Sequence, residues 1–95
     1  MAGLDPLIHA PARLQLMTSL TAVTEAEFAT LRDALDVSDS VLSKHSAALV
    51  EAGYVRSRKA VRDGRRTTWI GLTARGRIAL SEHVAALRLL IDGVE

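Results

Sequence analysis

Six basic residues fall between positions 56 and 66, and Arg56, Arg58, Lys59, Arg62, Arg65 and Arg66 together form a surface suited to holding phosphate. A guanidinium group grips two phosphate oxygens at once, and an ammonium group adds a compact point charge. The formal net charge of +1 conceals how this charge is segregated. Residues 44–77 carry nine basic against two acidic side chains, a net of +7, while residues 1–43 carry −4 and residues 78–95 carry −2. Attraction scales with local charge and not with the whole-chain sum, so the block is the footprint expected of a surface that meets phosphates. Just upstream, Ser38, Asp39, Ser40, Ser43, Lys44 and Ala47 fall on one face of a helix-period segment. Such a face of small polar side chains fits a major groove about 12 Å wide. Lys44 suits a phosphate or a guanine edge, and Ser43 suits base reading. Asp39 is repelled by phosphate and instead favours the positive N-terminal end of its own helix.

Other chemistries find little support. His9, His45 and His83 include no i, i+4 pair, and with no Cys to complete a soft site they predict neither a metal nor any other cofactor. Ser, His and Asp are present without a nucleophile elbow or a glycine-rich phosphate loop, so no enzymatic activity is expected. The absence of Cys excludes disulfides and thiol redox sensing and is compatible with a cytoplasmic location. Apolar runs are far shorter than the roughly 20 residues of a membrane-spanning helix, and the N-terminus lacks a leader pattern. No membrane partner is expected.

The elements that must position these residues follow from caps and periodicity. A chain of 95 residues predicts one domain over 1–95, and an apolar fraction of 48% with only 3% aromatic residues favours packed helices. Asp5-Pro6 opens a first helix over about 5–20, with Pro11 kinking or restarting it. A very short strand fits near Phe28, and a capping-box-like Thr30-Leu31-Arg32-Asp33 starts a helix to about Leu35. Asp36-Val37-Ser38 is a tight break, and Ser38 caps a helix over about 38–52 whose inward residues are Val41 or Leu42, His45 or Ser46, and Leu49. Gly53 suits a left-handed helix end. Tyr54–Val61 and Thr67–Leu72 flank Asp63-Gly64 as a β-hairpin, and Thr73 caps a last helix over about 73–92 with Gly93 past its end. The fold class is mainly α with a small β-ribbon, an α+β arrangement, and Tyr54 and Trp69 are expected in the core, Trp69 against one of the terminal helices.

The stretch Leu31–His45, with Leu49–Val55, Asp63-Gly64-Arg65-Arg66 and Leu72–Arg77, resembles the MarR- and ArsR-like winged helix-turn-helix transcriptional regulators. The short chain is most similar to the small single-domain winged helix DNA-binding domain group related to MarR. The resemblance implies the order helix, short strand, helix, helix, strand, strand, helix. It implies a recognition helix over about 38–52 in the major groove and a wing over 56–68 on the backbone or in the minor groove. The expected DNA contacts are Ser38, Ser40, Ser43, Lys44 and Ala47 from the helix, and Arg56, Arg58, Arg62, Arg65 and Arg66 from the wing. The expected partner is double-stranded DNA at the nucleoid.

Residues 84–91 are apolar almost all round, whereas a helix lying on a small domain should show one polar face. A second copy of the chain is expected to cover the surplus. Leu4, Leu7, Ile8 and Leu16 add apolar surface, and in the resembling families the terminal helices form the dimer. The expected interface is Leu4, Leu7, Ile8, Val84, Leu87, Leu90 and Ile91. A two-fold dimer implies a pseudo-palindromic operator and a homodimeric repressor, while no polar constellation names a small-molecule effector. The competing reading is a winged-helix protein-docking module, for which six basic residues in the ribbon have no use. RNA binding is disfavoured by the scarcity of aromatic side chains for stacking.

Overall fold

The computed structural model describes residues 4–93, so the first three and last two residues of the expected 1–95 domain lie outside it. In chain order the elements are α1 (Pro6–His9), α2 (Pro11–Ser19), β1 (Ala26–Glu27), α3 (Phe28–Leu35), α4 (Asp39–Glu51), β2 (Val55–Arg62), β3 (Arg65–Leu72) and α5 (Ala74–Asp92). The expected first helix is thus two helices. Ala10 is extended, at φ −60 and ψ 126, because a residue preceding proline is disfavoured in helical geometry, and Pro11 then starts α2 at a position where its missing N–H costs nothing. Asp5 caps α1, its Oδ1 accepting from the Leu7 backbone N–H at 2.9 Å.

The strands form an antiparallel sheet in the order β1-β3-β2. Ala26 and Glu27 pair with Ile70 and Trp69, and α3 begins at once with Phe28. The start expected at Thr30 is therefore corrected: Glu27 is the N-cap, without a side-chain cap, and Thr30 lies inside the helix. Strand pairing with β3, which is remote in sequence, overrides the local capping signal. Helix α3 ends on Asp36 in the left-handed region at φ 54, a conformation that Asp tolerates, and the Val37 N–H reaches back to the Arg32 carbonyl at 3.2 Å. Ser38 then caps α4 by accepting from the Val41 N–H at 3.2 Å. Past α4, Gly53 at φ +80 closes the helix, with the Tyr54 N–H donating to the Leu49 carbonyl at 2.9 Å. At the hairpin, Asp63 and Gly64 both have positive φ, 53 and 76, the geometry whose twist matches paired strands.

Ile8, Leu16, Met17 and Leu20 from α1 and the α2 region close over Leu42 and Leu49 of α4, Ile70 and Leu72 of β3, and Leu80 of α5. Ile8 and Leu16 are both fully buried in this core, so the expectation that they add exposed apolar surface for a dimer is corrected: α1 packs on α2 and α5, and these side chains fill the space between the elements. Tyr54 packs against the same cluster, and its hydroxyl donates to the Asp5 carboxylate. Trp69 does not join the core. Strand alternation gives Ile70 and Leu72 the inward face of β3, so Trp69 is half-buried on the opposite face with Arg58 5.9 Å from its ring.

Helix α5 buries Gly76, Leu80, His83 and Ala86 and leaves Ile78, Leu89 and Ile91 exposed. The radius of gyration is 14.3 Å, with extents of 55 × 25 × 21 Å. A compact chain of this length has a radius nearer 12 Å, so the molecule is elongated.

His83 is completely buried, its Nδ1 accepting from the Asp5 backbone N–H at 3.0 Å while its ring meets His9 edge-on at 5.5 Å. Burial, then the neighbouring His9, lowers its pKa below the ordinary histidine value, with Asp5 opposing. The folded state therefore binds fewer protons here than the unfolded state, and stability falls as pH drops below the unfolded value of about 6.5. His45 shifts in the same direction, through burial and then Arg13 and Lys44. Urea midpoints measured at pH 7.5 and 5.5 are expected to fall more in the wild type than in His83→Asn, which keeps an acceptor near Nδ1 without titrating. Equal losses in the two proteins would remove His83 as a source of acid sensitivity.

Candidate nucleic-acid interface

Helix α4 is held from behind and open in front. Arg13 of α2 donates from Nε to His45 Nδ1 at 3.1 Å and from Nη1 to the Leu7 carbonyl at 3.3 Å. Leu42, Ser46 and Leu49 face inward, while Ser38, Ser40, Ser43, Lys44 and Ala47 are all exposed. The structure thus brings the five expected helix residues onto one accessible face. Asp39 is engaged by Arg32 Nη1 at 2.9 Å, and Arg32 also meets Asp33 at 3.0 Å. These two carboxylates push the Arg32 pKa up, so Asp39 ties α3 to α4 across the three-residue turn.

Strand register sorts the ribbon's charge by face. Arg58 lies opposite Trp69, and Arg56 opposite Gly71, so Arg56, Arg58 and Arg62 share the face turned away from α4. Each has an internal partner. Arg56 donates to the Leu72 carbonyl at 2.6 Å and to the Thr24 carbonyl at 2.9 Å. Gly71 makes room for this clip, since a Cβ there would lie 2.4 Å from the Thr24 carbonyl oxygen and 3.0 Å from Arg56 Nη2. Arg58 meets both Glu25 oxygens, at 2.5 and 3.3 Å, and holds the Glu25 carboxyl below its ordinary pKa. Arg62 lies 3.7 Å from Glu27.

The opposite face carries Ser57, Lys59 and Thr68, which with Ser43, Ala47 and Val50 of α4 line an open cleft of about 580 Å³. Ser46 also borders it, with its hydroxyl buried and lacking a hydrogen-bond partner among the described residues. Lys59 counts among the six basic residues of the ribbon but is missing from the expected DNA contacts. Its signal was present in the period-2 alternation, which separates Lys59 from Arg58 and places it beside Ser57 on the α4 side. Among the described residues, Lys44, Lys59, Arg65 and Arg66 have no carboxylate within 4.0 Å.

An inward-anchored helix with a small polar face, followed by a cationic hairpin that shares a cleft with it, is the arrangement of a helix-turn-helix with a wing. The sequence profile of the family described as "Winged helix DNA-binding domain" matches residues 12–91. The chain belongs to this family. Its fold is that of winged-helix transcriptional regulators, which are not enzymes. A transcriptional regulator homologue from Pyrococcus horikoshii OT3 superposes with a TM-score of 0.89 at 27% identity, covering 94% of this chain and 88% of that one. An uncharacterised protein of Methanocaldococcus jannaschii is 28% identical over 89 residues, 94% of this chain and 97% of its own length. A MarR-family regulator from Enterococcus faecalis V583 shares the fold, with a TM-score of 0.73 at 22% identity over 90% of this chain and 76% of that one. Among the described residues no helix is long and apolar enough to cross a membrane. Among the described residues no group of three His, Asp or Glu side chains is placed to hold a metal ion.

Proposed function

We propose that this winged-helix protein is a homodimeric repressor that reads a pseudo-palindromic DNA operator. The observation that carries the reading is that Ser43 and Ala47 of α4 and Lys59 of the ribbon border one open cleft, while Lys44, Arg65 and Arg66 are exposed and, among the described residues, have no carboxylate within 4.0 Å. Helix α4 lies in the major groove, where Ser43 and Ala47 meet base edges and Lys44 meets a guanine or a phosphate. Ser38 and Ser40, at the helix N-terminus, meet the backbone. Arg65 and Arg66 at the hairpin tip grip the next phosphates or reach the minor groove, and Lys59 holds the strand between.

Dimerisation proceeds through α1 and α5. Leu89 and Ile91 are 73% and 68% exposed and Leu90 is exposed beside them, an apolar surface that water disfavours. Leu4 and Leu7 at the N-terminal end and Val84 and Leu87 of α5 are half-buried, and in this reading the partner subunit covers what they leave exposed. Two-fold symmetry sets the paired α4 helices about 34 Å apart, one turn of DNA. Repression follows from occupying the operator.

The test is an anisotropy titration of the purified protein into duplexes from its own upstream region and into scrambled duplexes, at two salt concentrations, with light scattering for mass. Salt-sensitive binding selective for the upstream duplex, with one dimer per site, is the expected result. Ser43→Ala is expected to change the ranking of sequences rather than weaken all equally. A monomer at micromolar concentration would remove the operator geometry. Absence of binding at low salt would favour a protein-docking role.

A further inference from the structure

We propose that Glu25 and Glu27 act as selectivity residues, holding the guanidinium groups of Arg58 and Arg62 away from DNA phosphates. The inference rests on the reading that the ribbon meets DNA. Glu27, Trp69 and Arg58 stand in register across the three strands, so their side chains form one row on the face turned away from α4. Glu25 grips Arg58 at two points, 2.5 and 3.3 Å, while the Trp69 ring lies beneath the same guanidinium at 5.9 Å. Glu27 reaches Arg62 at 3.7 Å. Strand β1 is only two residues long, and pairing it to β3 is what delivers both carboxylates to the ribbon.

A phosphate that takes Arg58 or Arg62 must displace a carboxylate, which then remains beside it as a like charge. When α4 sits in the major groove, the row points away from the duplex, so an operator complex gives up little. A non-specific complex has no fixed register and draws on any exposed cation, since phosphate contacts supply essentially all of its affinity. The clamp therefore weakens misdirected docking more than operator binding.

Glu25→Gln/Glu27→Gln is compared with Glu82→Gln/Asp92→Asn, which changes net charge equally at exposed positions of α5 that pair with no ribbon arginine. Circular dichroism melting confirms that both are folded. Affinity for a scrambled duplex at 50 mM salt is expected to rise about three- to tenfold over the control, with a salt slope steeper by about one per arginine released. Affinity for the upstream duplex is expected to change by less than about twofold. Arg58→Ala/Arg62→Ala is expected to leave the otherwise unaltered protein within about twofold and to cancel the gain when added to the glutamate variant. Scrambled-duplex affinity no higher than the control overturns the proposal, as does weakening by the arginine substitutions alone. Elution from immobilised heparin separates the two readings. If no duplex binds the wild-type protein, DNA reading fails, while later elution of the glutamate variant than of the control still supports the clamp and equal elution rejects it.

Discussion

Gly76→Ala is expected to destabilise the protein by about 3 kcal/mol, at the upper end of what overpacking costs. A Cβ at this buried position would lie 1.9 Å from the Tyr54 carbonyl oxygen, 2.8 Å from its carbonyl carbon and 3.0 Å from its Cα. These are backbone atoms, and no rotamer change relieves the clash. The Tyr54 carbonyl also accepts from the Thr73 N–H at 3.1 Å. Thr73 in turn donates its hydroxyl to the Gly53 carbonyl at 2.6 Å and accepts from the Gly76 N–H at 2.9 Å. The added methyl group therefore lifts the start of α5 off the junction where α4 gives way to β2, and the ribbon loses its fixed angle to α4. Urea denaturation followed by circular dichroism measures the cost. Gly93→Ala is the matched control, since its nearest neighbour would be an ordinary 3.4 Å away at φ −78. An unchanged midpoint for Gly76→Ala would mean that α5 is not seated on Tyr54.

The second large effect concerns binding. Lys44→Ala, Arg65→Ala and Arg66→Ala combined are expected to weaken binding to every duplex by on the order of a hundredfold near physiological salt. The plot of log affinity against log salt should flatten by about 0.9 for each phosphate no longer neutralised, or roughly 2.7 if all three side chains hold phosphates. All three side chains are exposed and, among the described residues, lack an internal carboxylate. Truncating them therefore removes charge without breaking a structural pair. Anisotropy titrations at four salt concentrations give the slope directly. A slope equal to that of the wild-type protein would show that these cations remain in solvent and that DNA lies on another surface.

Much of the frame was legible because it is written in local chemistry. Ser38 and Thr73 cap the helices they precede, Gly53 takes a positive φ just past α4, and Asp63-Gly64 adopts the mirror-image turn that a two-residue hairpin requires. Each of these signals acts within a few residues. The same holds for α4, where Leu42, Ser46 and Leu49 recur at helical spacing and leave the small polar residues outside. The start of α3 was misread for the complementary reason: the capping pattern at Thr30 is local, whereas the pairing of Ala26 and Glu27 with β3 spans more than forty positions.

The amino-acid sequence by itself determined the order of the elements from α4 onward, the caps of α4 and α5, the hairpin turn and the segregation of positive charge, because helical periodicity, capping and turn geometry operate at short range. Only the tertiary structure decided how that charge is distributed. It set Arg56, Arg58 and Arg62 against the Thr24 carbonyl and the two glutamates while leaving Lys59 facing the α4 cleft. It also drew Ile8 into the core and turned Trp69 out of it. Side chains remote in sequence meet only when the chain closes, and an arginine's availability to phosphate depends on which carboxylate it meets first.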